Sequence, residues 1–141
     1  SLLDIALARG ITVVAAVDRD AADGGFPAAH RGVVAVVDAA PGHAPAGTVQ
    51  APGRDIPTTL PGARWAVVSG ASYAAAHVSG LYALLRELRP RRAAAAGPNA
   101  TAELVLRADG RIDACATVQR SDGMCACACI AARLPHSVAR E

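Results

Sequence analysis

Lysine is missing from this sequence, and all 14 basic residues among its 141 positions are arginine. Alanine is abundant as well, and GC-rich coding accounts for both biases. The net charge is only +2, and the arginines are scattered except for a short cluster at 89–92, so no basic stripe follows a phosphate backbone. We therefore expect no nucleic-acid partner.

A long apolar run is also missing. The longest weakly polar stretch, ASYAAAHVSGLYALL, is interrupted by His77 and falls short of the ~20 apolar residues that cross a bilayer. No charged segment followed by an apolar one stands after Ser1, so no signal peptide is visible, as in an internal fragment or a processed product. We expect no membrane span. A chain of 141 residues is long enough to bury a core, so we expect one compact domain.

Two runs of apolar and β-branched residues, ITVVAAV at 11–17 and GVVAVV at 32–37, predict strands that are buried on both faces of a parallel sheet. A short helix is expected before the first strand, because Ser1 is a good N-cap, Asp4 follows three residues later, and Gly10 ends the segment. The pattern indicates an α/β architecture with functional groups on loops at the ends of the strands.

The second half of the chain alternates between segments without helix signals and segments with them. Residues 39–64 are rich in proline and glycine and predict short extended pieces and turns, and WAVVSG then resumes an extended character. The longest helix is expected over 72–88, running through the interior because it is apolar or small nearly all round as far as Leu85. A final helix is expected over 112–119.

The stretch SGASYAAAHVSG places a hydroxyl in an apolar neighbourhood at the start of that long helix. Ser72 follows a strand and lies in the first turn, where backbone N–H groups are unpaired and the helix dipole is positive. Such a turn can stabilise an oxyanion, and the small neighbours let a substrate backbone approach closely. The structural alternative is a serine N-cap on a core helix.

Four segments, in order, resemble the C-terminal half of the catalytic domain of subtilisin-like serine proteases (subtilases, peptidase family S8). GASYAAAHVSG is similar to the nucleophile motif Gly-Thr-Ser-x-Ala-x-Pro-His-Val-x-Gly, with Ala71 for threonine and Ala76 for proline. The other three are ARGITVVAAV with FPAAHRGVVAVV, VQAPGRDIPTTLPG, and ADGRIDACATV. The resemblance covers residues 1–119, leaves 120–141 as a cysteine-rich tail, and implies a three-layer α/β fold with a mostly parallel sheet and a buried nucleophile-bearing helix.

Roles follow from the resemblance position by position. Ser72 matches the nucleophile, its own N–H matches one arm of the oxyanion hole, and Gly70 and Ala71 flank it in the substrate-binding turn. Arg19 falls where the family places the oxyanion-hole asparagine. His77 matches a structural histidine rather than the base, and five positions after the serine it turns round the helix axis toward the core. The implied activity is a secreted or periplasmic serine endopeptidase with a polypeptide substrate and no cofactor, with structural calcium left open.

Two members of the catalytic triad have no counterpart in the matched segments. In the family the aspartate and the base histidine precede the nucleophile by long intervals, which places both in a missing N-terminal half of the same domain. His30 and His43 do not lie in the family's histidine motif. Because Arg19 replaces an amide donor, a catalytically impaired pseudoprotease or a non-enzymatic cysteine-rich binding module remains the alternative.

A different hydrolase class uses the same serine. GASYA is a loose match to the Gly-x-Ser-x-Gly nucleophile turn of α/β-hydrolase esterases, and Asp109 or Asp113 followed by His136 gives the matching chain order. That fold needs several strands before the nucleophile, more than this chain offers upstream of Ser72, which disfavours the esterase.

The four cysteines allow three interpretations. In an exported protease, Cys115, Cys125, Cys127 and Cys129 would form disulfides, with three pairings open. Alternatively, an extended CACAC segment could present three thiols on one side to a soft metal such as Zn²⁺ or Cu(I), although Cys-x₂-Cys spacing is lacking. Free thiols are the third interpretation.

Overall fold

The computed structural model describes residues 1–40, 45–88 and 103–122. The first helix, α1, covers Leu2–Ala8 and begins as the sequence predicts: the Ser1 hydroxyl accepts a hydrogen bond from the Asp4 N–H, and the Asp4 side chain returns to the Ser1 backbone. The helix ends before Gly10, which adopts the positive φ of 71° that glycine tolerates.

Three short strands form a parallel sheet in the order β1-β2-β3. They are β1 (Val14–Ala16), β2 (Val34–Asp38) and β3 (Thr48–Ala51). Ala15 pairs with Ala35 across the first interface and Val36 with Val49 across the second. The two apolar runs are therefore parallel strands as predicted, and every residue of the central strand β2 is buried.

The proline- and glycine-rich part of the chain contains a separate antiparallel hairpin of β4 (Ile56–Leu60) and β5 (Arg64–Val68). Its inner face, which includes Ile56 and Val68, is half-buried, whereas Trp65 and Val67 on the other face are exposed. The sequence predicted extended pieces and turns here, but not their pairing.

The second helix, α2, covers Ala71–Leu88 and packs on all three strands of the parallel sheet. Its buried residues are Ala74, Val78, Leu81, Tyr82 and Leu85, and with Val34, Val36 and Val49 they form the main core. The prediction that this helix runs through the interior is only half right, because only one side of it is buried. The opposite side of α2, here called the open face (Ser72, Ala76, Ser79, Gly80, Ala83 and Glu87), is exposed, because no other described element covers it.

The third helix, α3, covers Ala114–Asp122 and starts two residues later than predicted. Before it, the turn between Arg107 and Arg111 joins the edge of β3: the Gln50 N–H donates to the Gly110 carbonyl at 3.0 Å, and the Ile112 N–H donates to the Gln50 carbonyl at 2.9 Å. The predicted tail at 120–141 lies outside the described residues from 123 onward. Among the described helices, none is both long and apolar enough to cross a membrane.

Candidate functional site

Ser72 lies in the first turn of α2, as predicted, and its side chain is exposed. The Gly70 carbonyl accepts hydrogen bonds from the N–H groups of Tyr73 at 3.1 Å and Ala74 at 3.4 Å. Within the described ranges no group accepts from the N–H of Ala71 or Ser72. Two backbone donors at the positive end of a helix therefore remain available beside an exposed hydroxyl.

Gly53 holds this turn against the carboxyl end of the sheet. Its carbonyl accepts from the Gly70 N–H at 2.7 Å. A Cβ atom added to Gly53 would lie 2.8 Å from both the Gly70 carbonyl oxygen and the Asp38 Cβ, and 3.0 Å from the Ala74 Cβ. Backbone and side chains meet here so closely that only glycine fits without displacement.

Asp38, the last residue of β2, is therefore a close neighbour of the turn at the start of α2. It is 7% exposed, and each of its carboxylate oxygens receives one arginine: Arg19 donates to Oδ1 and Arg54 donates to Oδ2 at 2.8 Å. Burial raises the pKa of this carboxyl, but the Arg19 and Arg54 guanidinium groups outweigh burial and hold the pKa below its usual 3.8. Asp38 stays ionised and joins the segments that follow β1 and β3 to the end of β2.

Arg19 forms an ion pair with Asp38 in the described structure. Its guanidinium is directed to Asp38, and the side chain is about half exposed. Arg19 thus lies at the same edge of the sheet as the Ser72 turn, and one of its N–H groups is already engaged by Asp38.

Neither of the two histidines in the described residues reaches the Ser72 hydroxyl. His77 donates from Nδ1 to the Pro52 carbonyl at 2.9 Å, so it is hydrogen-bonded as expected, but it is exposed. The predicted burial of His77 is therefore wrong, because its side chain faces the Pro52 carbonyl at the surface rather than the core. His30 donates to the Arg31 carbonyl at 3.0 Å and contacts the Asp4 carboxylate at 3.2 Å.

The two aspartates of the esterase alternative have local structural roles. The Asp113 carboxylate accepts from the Ala116 N–H at 2.9 Å and caps α3, and the Asp109 carboxylate accepts from the Arg111 N–H at 3.0 Å within its turn. Neither bonds to Ser72 in the part of the chain that is described. His43, His136, Cys125, Cys127 and Cys129 lie outside the described residues.

Three residues of this edge were not predicted from the sequence: Asp38, Gly53 and Arg54. A signal was available for the first, because an acidic residue directly after a buried parallel strand lies where ligands meet α/β sheets. The roles of Gly53 and Arg54 depend on contacts with distant parts of the chain, which local patterns do not contain.

No protein-family model and no curated protein matches this sequence. Solved structures do match it. The Prenylagaramide maturation protease PagA is 21% identical with a TM-score of 0.65, and the match covers 84% of this chain and 54% of PagA. The chain has a subtilisin-like fold.

Two further subtilisin-like structures agree. The self-cleaved protease domain of PatA is 25% identical with a TM-score of 0.65, covering 86% of this chain and 54% of PatA. A structure of the subtilase cytotoxin SubAB is 18% identical with a TM-score of 0.63, covering 86% of this chain and 53% of the other. The chain therefore spans about half the length of the proteases that it resembles.

Proposed function

We propose that this chain carries the nucleophile-bearing part of a subtilisin-like serine endopeptidase, with Ser72 as the nucleophile. The observation that carries the proposal is the exposed Ser72 hydroxyl in the first turn of α2, beside backbone N–H groups without acceptors among the described residues. In a subtilisin-like fold this geometry suits attack on a peptide carbonyl, with the Ser72 N–H donating to the developing oxyanion. Gly70 and Ala71 leave room for the substrate backbone.

The general base and its aspartate come, in this proposal, from polypeptide outside residues 1–141 that supplies the N-terminal half of the same domain. Both described histidines are engaged elsewhere, and a serine hydroxyl needs a positioned base to become a useful nucleophile. The half-length match to the proteases and the uncovered open face of α2 support this arrangement. A second polypeptide segment would pack where α2 is now exposed.

A second candidate, a protein that binds peptides without cleaving them, is favoured by one observation. Arg19 occupies the family's oxyanion-asparagine position, and its guanidinium is held by the buried Asp38. Removing the asparagine from this site in a subtilisin, a case that is established for this family, costs roughly 10²–10³ in kcat. A parent protein that retains the fold but not the second donor would be slow or inactive.

A fluorophosphonate probe on the full-length protein tests the proposal. We expect covalent labelling of Ser72 and its loss in Ser72→Ala, with labelling retained in the control Ser79→Ala, which removes another exposed hydroxyl from the same helix. Labelling that persists in Ser72→Ala would place the nucleophile elsewhere. No labelling of the wild type, with native circular dichroism, would favour the binding protein.

A further inference from the structure

A cavity of about 400 Å³ lies next to the nucleophile turn, between the Pro52–Arg54 segment and the turn that precedes α3. Its charged lining residues are Arg54, Arg107 and Arg111, and no carboxylate lines it within the described part of the chain. Gly53, whose carbonyl accepts a hydrogen bond from the Gly70 N–H, also lines the cavity. Three guanidinium groups therefore share one concave surface at the edge of the candidate active site.

Each of these arginines is anchored by an aspartate that does not line the cavity. Arg54 Nε contacts Asp38 at 2.8 Å, Arg107 Nε contacts Asp113 at 3.3 Å, and Arg111 Nε contacts Asp109 at 3.4 Å. In all three pairs the Nε atom faces the carboxylate. The terminal Nη groups, which complete the planar fork that recognises a carboxylate, have no acceptor among the described residues.

Hydrogen bonds fix the backbone at two of the three arginines, Arg107 and Arg111. The Arg107 N–H donates to the Arg111 carbonyl at 2.8 Å, and the Gly110 N–H donates to the Arg107 carbonyl at 2.9 Å, which closes the turn. The bridge to Gln50 then attaches the turn to β3. The backbone positions of Arg107 and Arg111 are thus fixed before any ligand arrives, which lowers the entropy cost of binding.

We propose that this arginine cavity, lined by Arg54, Arg107 and Arg111, binds carboxylate side chains of an acidic polypeptide segment beside the peptide-cleaving site. The inference rests on the proposed function for its choice of a polypeptide, whereas the binding itself requires no catalysis. Planar carboxylates fit guanidinium forks, and the apolar lining residues Pro52 and Ile112 accommodate a peptide backbone. An acidic segment held here would lie near Ser72, because Gly53 lines the cavity and accepts a hydrogen bond from Gly70, two residues before Ser72.

The test is binding of a fluorescein-labelled, end-blocked peptide with four glutamates to the 141-residue chain, followed by anisotropy at low ionic strength. We expect saturable binding that salt weakens, and no binding of the same peptide with glutamines. The double variant Arg107→Gln/Arg111→Gln should lose about tenfold in affinity, since exposed ion pairs contribute modestly. Arg9→Gln, which removes an exposed arginine at the end of α1, is the matched control and should bind as wild type does.

Three outcomes would overturn the inference: unchanged affinity in the double variant with native circular dichroism, equal losses in the double variant and Arg9→Gln, or displacement of the peptide by inorganic phosphate at lower concentration than by unlabelled peptide. The last would identify a small-anion site. Because fluorophosphonate labelling is measured separately, a chain that binds the peptide and lacks a reactive serine would refute the proposed function alone.

Discussion

Gly53 offers the sharpest test of the packing around the candidate site. Its φ is not in the left-handed region, so a Gly53→Ala substitution introduces no backbone strain and adds only one methyl group. That methyl would lie 2.8 Å from the Gly70 carbonyl oxygen and from the Asp38 Cβ, distances at which something must shift. Overpacking of this kind costs about 1–3 kcal/mol. We expect the free energy of unfolding to fall by that amount, measured by urea denaturation with circular dichroism.

Gly80→Ala is the matched control, because the added methyl in the middle of α2 meets nothing within 4 Å. Alanine in a helix interior stabilises by about 0.5–1 kcal/mol relative to glycine. The same chemical change should therefore have opposite effects at the two positions. If Gly53→Ala unfolds at the same urea concentration as the wild type or above it, the close approach of the Gly53 loop to α2 is refuted.

Three further predictions follow from other contacts. The pKa of Asp38 is lower in the folded chain than its usual 3.8, so its contribution to stability is present above that pH and disappears as the pH falls below it. The free energy of unfolding should therefore fall less steeply with acid pH in Asp38→Asn than in the wild type. Equal slopes in the two proteins would contradict the pairing of Asp38 with the arginines. Thr117→Val should lower the free energy of unfolding, measured in urea, by about 1–3 kcal/mol, because the buried Thr117 hydroxyl accepts a hydrogen bond from the Val105 N–H at 2.9 Å. Thr117→Ser keeps the hydroxyl and should retain most of the stability. The isolated 141-residue chain should not hydrolyse casein, and turnover that disappears in Ser72→Ala would reveal a base within the chain.

The strands and helices were largely predictable because their signals are local. A serine three residues before an aspartate predicted the start of α1, and uninterrupted runs of apolar and β-branched residues predicted β1 and β2. The position of Ser72 at the start of α2 followed from a strand-like segment leading into a run of helix-forming residues.

What the sequence did not predict depends on contacts between distant residues. The pairing of Arg19 and Arg54 with Asp38 joins segments that are 19 and 16 residues away from the aspartate. The exposure of His77 depends on which side of α2 is covered, and the many small residues on both sides of the helix indicate that side only weakly. The arginine cavity likewise needs the turn before α3 to lie beside β3.

The two sides of α2 have a consequence for which substitutions the protein tolerates. In the chain as described, replacements at Ala74 and Val78 disturb the core, whereas replacements at Ala76 and Ala83 on the open face meet solvent. Tolerance along the helix should therefore rise and fall with a period of about 3.6 residues. In a longer protein whose additional chain covers the open face, substitutions on both sides of α2 would be poorly tolerated, and the period of about 3.6 residues would disappear. The open-face positions that lose their tolerance would then identify the residues of α2 that the additional chain contacts.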